Sequence, residues 1–155
     1  MNNKMGIVET RLLELGIVLD PPKPVVANYL GTKQIGDLLF VSGRKSELMG
    51  EVGKNISVDQ AKDAARETIL AMLSIIKADI GDLDKISGVV KLQGFVRSAR
   101  NFTSQPMVID GASDMLIEIF GEQGRHARTA TGVHQLPYGA VVQLDIILQM
   151  KPVNF

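Results

Sequence analysis

The side chains best suited to chemistry gather near the C-terminal end, in HARTATGVHQLPYGAVVQLDIILQM at 126–150. The planar guanidinium of Arg128 can take a carboxylate through two parallel hydrogen bonds, a geometry that lysine lacks. The amide of Gln143 can hold a water without deprotonating it, whereas the carboxylate of Asp145 can do both. By the two-residue period of a strand, Arg128, Ala130, Gly132 and His134 share a face. The arginine then stands beside small residues that leave room for a ligand. On a second strand Val142, Leu144, Ile146, Leu148 and Met150 form one apolar face, while Gln143 and Asp145 lie on the other among Val141, Ile147 and Gln149. These patterns suggest that Arg128 and Gln143 belong to one small-molecule site. Each has a plainer reading as well. Arg128 equally suits a salt bridge with Asp145 or Glu118, and the Gln143–Asp145 pair suits an interface hydrogen-bond network.

Other chemistries find less support. The chain has no cysteine, which removes disulfides, thiolate nucleophiles and cysteine-ligated metals. Its two histidines, His126 and His134, stand in no metal-binding spacing, so neither a metal nor a cofactor is expected. Ser42-Gly43 follows an apolar run, where backbone amides could approach a ligand, but it is not a nucleophile elbow. Tyr29 could donate a hydroxyl, or simply be a half-buried strand tyrosine. No glycine-rich phosphate loop is present. Lys+Arg and Asp+Glu number 17 each, a balance that gives no reason to expect nucleic acid or an anionic membrane as partner. No segment approaches the roughly 18 apolar residues of a membrane span. Glu9, Arg11 and Glu14 interrupt the N-terminal apolar residues, which argues against an export signal. A cytoplasmic location is the expectation.

The elements that must position these groups follow from periodicity. One domain over 1–155 is expected, with 1–24 as an N-terminal helix and proline-rich extension. Val8, Leu12, Leu13 and Leu15 predict a short helix ending at Gly16, and Pro21, Pro22 and Pro24 an extended connector. Residues 25–30 and 38–41 read as two strands, the second as one buried on both faces, and 44–55 as a loop. Ser57 with Gln60 forms a capping-box pattern at the head of a long helix that Gly81 stops. A strand over 85–97 carries Gly88 and Gly94, a second helix runs to Phe120, and two strands joined around Leu136–Gly139 close the chain. The order β-β-α-β-α-β-β predicts an α+β domain, with one sheet and both helices on one of its faces. Self-association into a closed ring is the economical cover for the other.

Together, GDLLFVSG at 36–43, the long helix, VVKLQGFV at 89–96 and the closing ARTATGVHQLPYGAVVQLDI resemble the YjgF/RidA (Rid) family, known also as endoribonuclease L-PSP. The extended N-terminus, QPMVIDGASDML and FGEQGRHAR are similar to a longer branch of it. The resemblance implies a chorismate-mutase-like fold and a homotrimer whose sheets pack into a barrel with clefts between subunits. It also implies hydrolysis of reactive enamines or imines, such as 2-aminoacrylate, to a 2-keto acid and ammonia. Arg128 would bind the substrate carboxylate, Tyr29 and the Ser42-Gly43 backbone would line the cleft, and Thr129 stands where many members have serine. Two positions depart from the family. Ala130 replaces a frequent cysteine, and Gln143 replaces the glutamate expected to position the attacking water. The alternative is therefore a non-enzymatic trimeric binder of small carboxylates, with RNA cleavage a further reading that the charge balance disfavours.

Overall fold

In a computed structural model describing residues 4–153, the order is α1 (Ile7–Glu14), β1 (Thr32–Ile35), β2 (Leu38–Lys45), α2 (Val58–Ile80), β3 (Ile86–Arg97), α3 (Gln105–Phe120), β4 (Ala127–Val133) and β5 (Val142–Met150). Residues 1–3 of the N-terminal extension lie outside the described residues. The capping box at Ser57 forms as its spacing predicts. The Ser57 hydroxyl accepts from the Gln60 amide at 3.1 Å, and the Gln60 side chain accepts from the Ser57 amide at 2.9 Å. Such a cap stabilises a helix by about 1 kcal/mol. Gly81 ends α2 at φ 88°, a conformation that glycine adopts without steric cost.

The five strands form one mixed sheet in the order β1-β2-β5-β3-β4. Leu39, Val41, Leu92, Val96, Leu144, Ile146 and Leu148 point from it into the core beneath α2 and α3. Both long helices thus cover one face, as the α+β pattern requires. Where they meet, Gly111 of α3 lies against the Lys62 carbonyl of α2, which leaves no room for a Cβ. Helix α1 buries Val8 and Leu12, and the Asp84 carboxylate caps it from a distant turn by accepting from the Ile7 and Val8 amides, both at 2.8 Å.

Several sequence expectations are corrected. Residues 25–30 form no strand. The two-residue turn at Gly36-Asp37 pairs Ile35 with Leu38, so the strand before it occupies 32–35. Strand β2 is not buried on both faces: Leu39 is 2% exposed but Phe40 is 41% exposed, because helices cover one side only. Nor does a loop begin at Arg44, since a bulge between Val41 and Arg44 carries β2 on to Lys45. The two closing strands do not pair with each other. β3 lies between them, parallel to β4 and antiparallel to β5. Gly94 faces the helices, where Ile109 of α3 fills the space a side chain would need.

Candidate functional site

Sheet parity decides which side chains can meet. Gln143 pairs across β2 with Lys45 and across β3 with Phe95, on the face that no helix covers. A cleft of about 460 Å³ opens there. Tyr29, Gly43 and Gln143 all line it, together with Lys45 and Tyr138. Each arrives by a separate route. The extended segment after Pro24 delivers Tyr29, which is half exposed. The bulge in β2 brings Gly43 against Gln143, where a Cβ would stand 3.4 Å from the amide nitrogen. Ser42 serves this construction rather than the cleft. Its hydroxyl donates to the Leu30 carbonyl at 2.5 Å and its amide to the Gly31 carbonyl at 2.9 Å, fixing the segment that carries Tyr29.

Tyr138 is the one described non-glycine residue with positive φ, at 58°, between Pro137 and Gly139. Such a backbone costs about 1 kcal/mol or more. It places the ring at the mouth of the cleft with the Lys45 ammonium 5.6 Å from its centroid. Asp145 shares the open face but does not line the cleft. Burial pushes its carboxyl above the ordinary range, and the nearby Lys91 ammonium offsets this in part.

Arg128 lies elsewhere. Its register partner is Leu92, so it points to the helix-covered side of β4, the edge strand. Arg128 and Gln143 therefore stand on opposite faces, on strands about 10 Å apart with β3 between them, and at β3 positions three residues apart. One small ligand cannot touch both within a single chain. Thr129 faces the open side and Ala130 the helix side, and neither lines the cleft of Gln143.

The neighbours of Arg128 form a directed chain. Its Nη1 donates to Asp110 at 2.7 Å and to the Ser113 hydroxyl at 3.2 Å, so the expected salt bridge is made to Asp110 and not to Asp145 or Glu118. His126 Nδ1 lies 2.6 Å from the Gly124 carbonyl and must donate to it, because a carbonyl only accepts. In the neutral ring Nε2 is then an acceptor, and the Ser113 hydroxyl 2.9 Å away donates to it. The result is an Arg128 to Ser113 to His126 relay that holds the guanidinium's orientation. A fork of Nε and Nη2 stays on its other edge, with only a long contact from Nη2 to the Pro106 carbonyl at 3.4 Å. Sequence reading missed Asp110 and Ser113. Their spacing on one face of α3 was the available signal. It missed Lys45 because the strand's length past the bulge was not visible.

Comparisons with known proteins agree with this architecture. Residues 9–148 match the model of the family described as YjgF/chorismate mutase-like, putative endoribonuclease. The chain is 40% identical over 153 residues to Protein TCP17 of Trypanosoma cruzi, covering 94% of this chain and 96% of that one. It is also similar to the crystal structure of Atu1372, a protein of unknown function from Agrobacterium tumefaciens, at 41% identity and TM-score 0.84, over 94% and 93% of the two chains. A putative endoribonuclease from Shewanella oneidensis superposes with TM-score 0.87 at 28% identity, over 92% of this chain and 99% of that one. With a family model spanning nearly its whole length and two relatives at about two-fifths identity, the chain belongs to the YjgF/chorismate mutase-like family.

Proposed function

We propose that this chain hydrolyses small reactive imines and enamines that carry a carboxylate, and that it does so as a homotrimer with its clefts between subunits. The observation that carries this reading is the division of the site. A cleft lined by Tyr29, Gly43 and Gln143 opens on an uncovered sheet face, while Arg128 waits at a free edge on the other face. An edge strand of one subunit set against the open face of the next would unite them. The open face also carries Ile35, 65% exposed, and Phe40, 41% exposed, apolar surface that a partner would cover.

In such a cleft the free Nε and Nη2 edge of Arg128 takes the substrate carboxylate, with Asp110 and Ser113 holding the guanidinium in place. Gln143 orients a water against the imine carbon. The water adds to that carbon as the imine nitrogen takes a proton. The resulting carbinolamine expels ammonia and leaves the 2-keto acid. Imines are activated electrophiles, so positioning alone accelerates this step even without a strong base.

The test is ammonia release from freshly generated 2-aminoacrylate, read beside the mass of the particle in solution. Wild type should outpace buffer as a trimer, and Arg128→Ala should lose the acceleration while remaining trimeric. Full activity in that variant would overturn the assignment of Arg128. A second reading has its own observation: Gln143 is an amide, and Asp145 does not line the cleft, so no carboxylate stands ready on β5 to take a proton. A trimeric binder of keto acids fits that arrangement, and keto-acid binding by calorimetry without turnover would select it. Cleavage of RNA has the least support, because a chain with no net charge offers little to a phosphate backbone.

A further inference from the structure

The cleft holds a cation that the hydrolysis of a simple monocarboxylate imine does not need. Lys45 stands directly across from Gln143 in the β2–β5 register, on the same face. Paired residues in an antiparallel sheet have Cβ atoms about 5 Å apart. A lysine stem therefore carries its ammonium over the same floor on which Gln143 would hold water. Among the described residues that ammonium makes no ion pair, and it donates only to the Ser46 carbonyl, at a long 3.4 Å. The one carboxylate lining the cleft, Glu47, is taken by Lys23 at 2.7 Å. Arg44 also lines the cleft, from the position of β2 that pairs with Leu144, so positive charge there exceeds negative. The ring of Tyr138, set by its unusual backbone, lies beneath the Lys45 ammonium and limits where it can swing.

We infer that Lys45 selects substrates with a second acid group: the imines of short dicarboxylic amino acids, or the matching keto diacids. This rests on the reading given under Proposed function, in which Arg128 of a neighbouring subunit takes the first carboxylate. The second, one or two methylenes beyond the imine carbon, then meets the Lys45 ammonium, with the imine carbon left between them above Gln143. An aliphatic substrate of the same length would leave that ammonium facing a methyl group, and would forgo the ion pair.

The experiment compares two imines, one from a dicarboxylic and one from an aliphatic amino acid of similar length, each generated in place by an amino-acid oxidase. Wild type should show the higher kcat/KM for the diacid. Lys45→Gln should lower kcat/KM for the diacid by about tenfold, equivalent to about 1.4 kcal/mol, and leave the aliphatic substrate within about twofold. Lys45→Arg should keep the preference. Added salt should erode the diacid rate of wild type and leave that of Lys45→Gln nearly unchanged. Equal losses on both substrates, or none on either, would overturn the inference. If wild type accelerates neither imine, the deaminase reading fails by itself. Titration with a stable keto diacid and a keto monoacid then decides the role of Lys45: tighter diacid binding that Lys45→Gln abolishes supports it, and equal affinities reject it.

Discussion

Because Arg128 and Gln143 occupy opposite faces of one sheet, two disabled chains should repair each other. Consider Arg128→Ala, which removes the proposed carboxylate clamp, and Gly43→Val, which obstructs the floor of the cleft. Gly43 already lies so close that its first added carbon would stand 3.4 Å from the Gln143 amide, and the branched carbons of valine reach further into that space. Each variant alone should release ammonia at the buffer rate. In the proposed trimer each site would take its arginine from one subunit and its cleft from the next. With equal random mixing, half of the arginines and half of the clefts are intact. Roughly a quarter of all sites then regain both, whatever the arrangement within each ring. The assay is ammonia release from 2-aminoacrylate by the two variants co-refolded at equal concentration, with each refolded alone as control. Recovery near that fraction supports a site shared between subunits. Refolded mixtures that stay at the buffer rate, while particle mass shows trimers of both chains, would refute the reasoning.

Other consequences are as direct. Gln143→Glu places a carboxylate where the proposed mechanism has the amide orient water, opposite Lys45, and should raise the imine hydrolysis rate by about 10²-fold or more, the usual contribution of a general base; an unchanged rate in a folded trimer would remove Gln143 from the chemistry. Burial raises the Asp145 carboxyl, so the native chain holds that proton to higher pH than the unfolded chain does. Stability should therefore decline as pH rises from the ordinary aspartate value of about 3.9 through the native one, then level off. Asp145→Asn should remove this decline, seen as a Tm difference from wild type that grows with pH across that window; a constant difference would contradict it. Gly111→Ala would press a methyl group onto the Lys62 carbonyl and should cost about 3 kcal/mol, or about 10 °C in Tm by thermal unfolding.

Local chemistry in the sequence carried much of this fold. The Ser57–Gln60 box, the Gly81 stop and the strict alternation from Val142 to Met150 are each set by neighbours in the chain, and each appears where its pattern places it. What depended on distant pairing was hidden. Nothing local says that β3 enters between β4 and β5, yet that insertion sets which strand is the edge. Alternation within β4 rightly groups Arg128 with Ala130 and Gly132, but it cannot relate that face to the face of Gln143 on another strand. The bulge in β2 is similar. It turns Lys45 toward Gln143, a relation that the polar stretch RKSELMG does not carry within itself. The partner of Arg128 was invisible for the same reason, since Asp110 reaches it only once α3 has packed beside β4.

The cap that Asp84 places on α1 bears on the timing of assembly. An isolated helix shorter than about 12 residues is marginal in water, and α1 has 8. Its first turn depends on a carboxylate that follows α2 by only a few residues in the chain but lies far downstream of α1 itself. During synthesis α1 therefore leaves the ribosome early and has nothing to fold against until α2 and the turn after it have emerged. The segment between α1 and β1, which carries Tyr29, is tied instead to Ser42 of β2, only a dozen residues downstream of Leu30, so that wall of the cleft does not depend on the cap of α1.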